Sequence, residues 1–338
     1  MNLDLARKVA DAVLYEGYIL YPYRPSALKN RQRWSFGILY PPAYPEVALG
    51  TERNAMHSEF LVEATKDAAV HVHLRFLHLL SRQYTQSVEG RSEPVSSLRV
   101  DDQIFESWDE PSERSIHFHI ASLPAQQQHQ FTIPADTQSE PMLDRNGHLA
   151  GGLTRTRREV NGTISVASET LRDGLLKLTI DVANTTPMLE ETTDRVTSLD
   201  YSLLSAHTIL TATGAQFVSL LDPPADLQAA TASCHNVGNF PVLVGTASER
   251  DMMLCSPIVL YDYPQIAPES TSNFYDATEM DEMLTLRVLT LTDGEKDEMR
   301  RTDEHVRNLL QSTEQSAREQ LARTHGVIRG MRSIEEQQ

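Results

Sequence analysis

Apolar and polar residues alternate with a period of two through much of this chain, and that rhythm constrains the fold more than any other feature. In "AAVHVHLRFLHLL" Val70, Val72 and Leu74 fall on one side of an extended strand, with His71, His73 and Arg75 on the other. "ERSIHFHIASL" repeats the arrangement, with Ile116, Phe118 and Ile120 opposite His117 and His119. A helix would scatter these residues around its axis. A half-buried strand sorts them into a core stripe and a wet stripe.

The same rhythm predicts strands over 31–42, 56–64, 69–80, 115–123 and 129–135, bounded by Pro, Gly, Ser and Asp clusters. Residues 136–162 then hold few apolar side chains and many turn formers, and read as a linker or an insertion. Alternation resumes on both sides of Arg172-Asp173-Gly174, a strong tight-turn signal. It continues in "SAHTILTATGAQF", where Thr213-Gly214 reads as a turn, and in "FPVLVG", "DMMLCSPIVL" and "MLTLRVLTLT". Helical spacing occurs at the two ends. Leu5, Val9, Ala12 and Val13 predict a helix over about 4–15. "TDGE", a capping box from Thr292 to Glu295, opens a helix predicted over about 293–322.

The expected fold is therefore mainly β, with two antiparallel β-sandwich-like domains, a short N-terminal helix and a long C-terminal helix. The domains are expected at 1–135 and 163–291, with the C-terminal helix and tail in 292–338. Strands that do not alternate with helices disfavour a doubly wound parallel sheet.

The chain has 47 acidic against 30 basic side chains, a formal net charge of -17. That field repels phosphate backbones and anionic lipid, which argues against nucleic-acid and membrane partners. No run of about 18 apolar residues is present, and charged residues interrupt the first twenty, so the expectation is a cytoplasmic protein. Two cysteines, Cys234 and Cys255, are too few for a disulfide framework. The one basic cluster is "TRTRREV". Arg155 and Arg157 share a face at period two and make a candidate anion site, against the plainer reading of a solvated strand end.

No glycine-rich phosphate loop or nucleophile elbow occurs, so no catalytic residues and no cofactor are expected, and the reading leans away from an enzyme. The histidines are the candidates for metal chemistry. Were the two His-x-His strands neighbours, His71, His73, His117 and His119 would converge in a set suited to Zn²⁺, Fe²⁺ or Cu²⁺. Arg75 shares the face of His71 and His73, and an ever-charged guanidinium opposes a cation unless an acid neutralises it. No carboxylate follows at short spacing, so the expectation is two wet strand faces without stoichiometric metal. Cys234, His235 and Cys255 form a weaker soft-metal candidate.

Two aromatic segments are candidates for a partner surface, since tyrosine brings a large rigid face with a polar tip. One carries Tyr18, Tyr21, Tyr23, Arg24 and Trp34; the other carries Tyr261, Asp262, Tyr263 and Tyr275. Core packing of the same residues competes with that reading. "ADAVLYEGYILYPYRPSALKNRQRWSFGILYPPAY" and "SPIVLYDYPQIAPESTSNFYDATEMDEMLTLRVLTLTDGEKDEM" resemble an uncharacterised bacterial family encoded beside actinobacterial-type uptake [NiFe]-hydrogenase genes. The resemblance runs from Ala10 to about Leu310 and carries no catalytic motif. It implies a non-enzymatic accessory, assembly or scaffolding role exercised through a protein partner, with self-association left open. The alternatives are a metal-dependent enzyme or metal carrier using the His-x-His strands, and a β-sandwich that binds a carbohydrate or small ligand.

Overall fold

The computed structural model describes residues 3–24, 27, 30, 33–88, 91–188, 194–266 and 281–324. The chain divides into two compact units, one built from residues 1–18 and 32–265 and the other from 19–31 and 266–338.

The first unit is mainly antiparallel β. It opens with α1 (Leu3–Tyr15) and a short α2 (Pro45–Ala48), followed by β1 (Ala55–Val88), β2 (Arg91–Val95), β3 (Ser97–Val100) and β4 (Gln103–Glu106). Next come β5 (Trp108–Ile120), β6 (Gln126–Ile133), β7 (Asp136–Leu143), β8 (Leu149–Arg157), β9 (Val160–Arg172) and β10 (Leu175–Asn184). The unit closes with α3 (Arg195–Leu199), β11 (Leu204–Phe217), α4 (Gln228–Thr231), β12 (Phe240–Leu243) and β13 (Met252–Ser256). Eleven strands join one sheet with the path β12-β13-β11-β1-β10-β9-β6, while β3 and β4 pair only with each other.

Strand β1 organises that sheet. Its 34 residues merge the two strands expected at 56–64 and 69–80 and run on to Val88. Residues 55–63 pair with β10, 62–77 with β11, 70–82 with β5, 81–86 with β8 and 84–88 with β2. Since β10 and β11 both meet β1 at Val62 and Glu63, they lie on opposite sides of it. By the same reasoning β5 takes the side that β10 leaves, and β8 the side that β11 leaves. The register jumps between Ala64 and Ala69, where Thr65, Lys66 and Asp67 are exposed.

One apolar cluster joins both halves of β1. Phe60 and Val62 belong to it together with Val70, Val72, Leu74 and Phe76, and Ile164 of β9 and Ile180 of β10 close it. Phe60 meets the ring of Phe217, and Phe76 that of Phe131 on β6. The alternating residues of β1 are thus its interior, each worth roughly 1.5–3 kcal/mol of burial.

Several sequence expectations are corrected here. The 136–162 stretch is not a linker. It holds β7 and β8, a hairpin whose β8 pairs with Ser81–Gln86 of β1. Strands from both sides of it enter one sheet, so 1–135 and 163–291 are not separate domains. Of the 31–42 segment, the described residues 33–42 form no strand beyond a single bridge from Leu39 to Leu203, because bends at Phe36 and Gly37 interrupt it. Thr213-Gly214 is no turn either, since β11 runs through it. Gly214 (φ +64°) faces the β1 irregularity, where a Cβ would come within 2.8 Å of Thr65 Oγ1. The Asp173-Gly174 turn does connect β9 and β10, with Gly174 at φ +72°.

The second unit holds three helices among its described residues: α5 (Asp281–Leu289), α6 (Asp293–Thr302) and α7 (Glu304–Thr324). "MLTLRVL" lies in helix α5, not in a strand. Leu284 and Val288, four apart, are buried while Leu286 between them is exposed, so the helical period overrides the alternation. Thr292 caps α6, accepting from the Glu295 amide while Glu295 bonds back to the Thr292 amide. The single helix expected over 293–322 is two. Asp303 is extended (φ -152°), breaks the helix, and its carboxylate accepts from the Val306 amide at the start of α7. Among the described residues no helix is long and apolar enough to cross a membrane.

Candidate metal-binding histidine array

Strands β1 and β5 are antiparallel neighbours, and their register sets His71 opposite His119 and His73 opposite His117. Val72 faces Phe118 and Leu74 faces Ile116 on the core side, with Val72 and Leu74 fully buried. Parity places each histidine pair outward, and register makes the two pairs one square. The rings of His71 and His119 stack with centroids 4.2 Å apart and planes 15° from parallel. Those of His73 and His117 meet edge to face at 4.5 Å, and His71 lies 6.4 Å from His73 along the strand. His71, His117 and His119 are exposed and His73 is half-buried. Ser115 Oγ lies 3.2 Å from Nε2 of His117.

Arg75 continues the row, opposite Ser115 on β5 and His207 on β11. Its guanidinium donates to Asp11 of α1 at 2.6 Å and reaches Glu113 of β5 at 3.5 Å. Tyr15 Oη donates to the other oxygen of Glu113. The charge expected to oppose a cation at the histidines is therefore neutralised by two carboxylates, one on a helix and one on the neighbouring strand. Helix α1 is held there by Val9, Ala10 and Val13, which pack with Ile209, Val242 and Met252.

Burial lowers the pKa of His71, and the nearby His119 and His117 lower it further. His73 is pushed down to about 4 by burial first, then by His117, His71 and Arg7. Both rings are neutral at pH 7, the state in which imidazole offers a lone pair to a metal. As the side chains stand, no group of three or more His, Cys, Asp or Glu among the described residues has metal-ligand geometry. Stacking puts the His71 and His119 nitrogens in parallel planes. Directly opposed strand positions set the two side chains about 4.5–5.5 Å apart at Cβ.

Most of the candidate partner-surface residues are engaged in contacts within their own unit. Tyr18, Tyr23 and Trp34 are buried, Trp34 being only 2% exposed, so these rings serve packing. Tyr18 and Trp34, their rings tilted 34° to one another, lie about the buried Arg33, whose guanidinium is 3.8 Å from the ring centroid of Trp108 and donates to the Asp109 carbonyl. Desolvation lowers the Arg33 pKa to about 9 against the pull of Asp109. Tyr21 sits under Arg287, and Arg24 pairs with Glu295 and Glu298 of α6. Asp262 accepts from Ser219 Oγ and the Leu243 amide, and Tyr263 Oη donates to the Glu249 carbonyl. Among the described residues of this set only Tyr261 is strongly exposed, at 61%. Tyr275 lies outside the described residues. Cys255 belongs to the main core and Cys234 packs on a separate cluster, and burial raises both thiols to about 11.

Sequence reading missed a cleft of about 580 Å³ lined by Phe36, Arg53, Arg195, Asn236 and Phe240 among others. Phe36 and Phe240 are exposed in it, and Arg195 reaches across to the Trp34 carbonyl at 2.6 Å. No local pattern marks this cleft, because its walls come from positions as far apart as Phe36 and Phe240. No family model matches this sequence, and no curated protein matches it either.

Proposed function

We propose that this chain is a non-enzymatic accessory protein for a metalloenzyme, and that His71, His73, His117 and His119 take up a divalent transition-metal ion and pass it on. The observation that carries this reading is the in-register square of imidazoles on β1 and β5 beside an arginine already paired with Asp11 and Glu113. Three of the four rings are exposed, which suits exchange with a partner better than permanent retention. A net charge of -17 concentrates cations at the surface. Nitrogen-only ligation favours Zn²⁺, Ni²⁺ or Cu²⁺ over Mg²⁺ or Ca²⁺. The resemblance to proteins encoded beside [NiFe]-hydrogenase genes fits a role in supplying such an enzyme. In this reading the sheet folds over its core as a β-sandwich-like body, and the protein acts in the cytoplasm.

The test is equilibrium dialysis of protein purified without a histidine tag against Zn²⁺ and Ni²⁺. About one equivalent should bind with micromolar affinity, and a His73→Ala/His119→Ala double variant should lose at least tenfold. Binding that is absent, or undiminished in that variant, sinks the reading. A second reading rests on the 580 Å³ cleft, where exposed Phe36 and Phe240 stand beside Arg53. Those residues suit a small anionic ligand with an apolar or aromatic body.

A further inference from the structure

On the core side of β1, past the apolar run that ends at Phe76, the chain places His78, which is fully buried. Arg114 is set by register opposite Phe76 on β5, and Ser112 opposite His78. Arg157, at the end of β8, reaches this place from the other side of β1 and donates to Ser112 Oγ at 3.4 Å. Arg114 and Arg157 are both half-buried, and they lie close enough to repel one another.

What sets this place apart is its shortage of acceptors, Ser112 Oγ being the one side-chain acceptor that Arg157 finds among the described residues. Nε and Nη2 of Arg114 and Nε of Arg157 are shielded from solvent without a hydrogen-bond partner. Neither ring nitrogen of His78 makes a hydrogen bond of ordinary geometry, although the Arg158 backbone lies close enough to favour the charged ring. Every other arginine on these three strands has a carboxylate: Arg75 has Asp11 and Glu113, Arg82 has Glu110, and Arg155 has Glu140. Asp136 faces Arg157 in register but is exposed and makes no ion pair with it among the described residues. Shielded donors without acceptors cost about 1–3 kcal/mol each, more when charged, so an arrangement of this kind calls for an acceptor that the chain does not supply.

We infer that Arg114, Arg157 and His78 form a binding site for a tetrahedral oxyanion of the phosphate or sulfate class. Such an ion offers several acceptor oxygens at once and neutralises two guanidiniums whose forks suit it. The half-buried arginines leave a route from solvent, and His78 closes the inner end as a neutral donor, its pKa held down to about 3 by burial and then by Arg157 and Arg114. The site stands apart from the outward histidine array, on the opposite face of the same strands.

Thermal unfolding at pH 7 and constant ionic strength tests it, with sodium phosphate, sodium sulfate or methyl phosphate replacing part of the sodium chloride. Phosphate or sulfate should raise Tm by several degrees along a saturating curve, and Arg114→Gln/Arg157→Gln should weaken the apparent affinity at least tenfold. Arg155→Gln, whose partner is Glu140, should leave the response intact. Methyl phosphate binding tighter than inorganic phosphate would assign the site to a phosphomonoester, and weaker binding to the free ion. Equal curves in phosphate and chloride would overturn the inference, as would a phosphate response that survives in the double variant. Should that variant not fold, line broadening of the phosphate ³¹P resonance by the unmodified protein, and its absence on addition of the Arg114→Lys protein, reads the same contact.

Discussion

The sheet unit and the helical unit hold their residues in place by different means. In the sheet, the surroundings of a residue are set by chain far away: His73 meets His117 and Ile209, and Arg75 meets Asp11. In the helical unit distant pairs also occur, as between Arg24 and Glu295, but the helix ends and buried stripes rest on partners three or four residues off. Thr292 and Glu295 cap each other, Asp303 caps Val306, and Leu284 and Val288 make one buried stripe. A single substitution therefore disturbs many strands at once in the first unit, and one helix end in the second.

The sharpest way to break that contrast is a cavity in the shared core. Leu74→Ala, on the inner face of β1, should cost about 2–5 kcal/mol by urea unfolding. His73→Ala, one residue away on the outer face, should cost under about 0.5 kcal/mol. Similar losses from both would mean that parity does not govern β1.

Acid should come next in size. His207 is fully buried on β11, and burial holds its pKa down to about 4 against the help of its bond to the Ser205 carbonyl. An unfolded chain takes up that proton near pH 6.5, the folded protein only near pH 4. Stability therefore falls as pH drops through this window and levels off below it, by about 3 kcal/mol. His207→Gln should make that part of the pH profile of unfolding shallower, leaving the slope due to His73 and His78. A profile unchanged by the substitution would show that His207 is not the group responsible.

Smaller still is the local effect. Thr292→Ala should cost about 1 kcal/mol in the helical unit through loss of the cap, and hydrogen exchange should show it at the start of α6 while β1 amides keep their protection. The least effect on stability is expected from Asp11→Asn, at most about 1 kcal/mol for a surface ion pair. By releasing half of the neutralisation of Arg75 it should nonetheless weaken metal uptake at the histidines by a few fold. An unchanged metal isotherm would separate Arg75 from the array.

These scales explain what could be read in advance. Period two placed Val72 and Leu74 inside and His71 and His73 outside, and the Thr292 capping box was legible because its parts are adjacent. The register that squares His71 with His119 was not, because alternation fixes a face and says nothing of the neighbour. Nor could the acids that quiet Arg75 be found, since Asp11 lies 64 positions away on a helix. "TRTRREV" was recognised as basic, but Arg155 and Arg157 on one strand end in different company, one with a glutamate and one with another arginine. Tyr18 and Trp34 read equally well as interface or core, and burial chose core. "MLTLRVLTLT" misled because a short run can satisfy both periods.

The five partners of β1 also impose an order of events on synthesis. Its side along residues 62–77 is completed by Leu204–Phe217, so more than a hundred residues must follow Val88 before that edge finds its neighbour. At roughly 5–20 residues per second the nascent chain carries an open, apolar strand edge for on the order of ten seconds. Such edges template association between chains. The yield of this protein in a cell should accordingly depend on chaperone supply and translation speed more than its final stability would suggest.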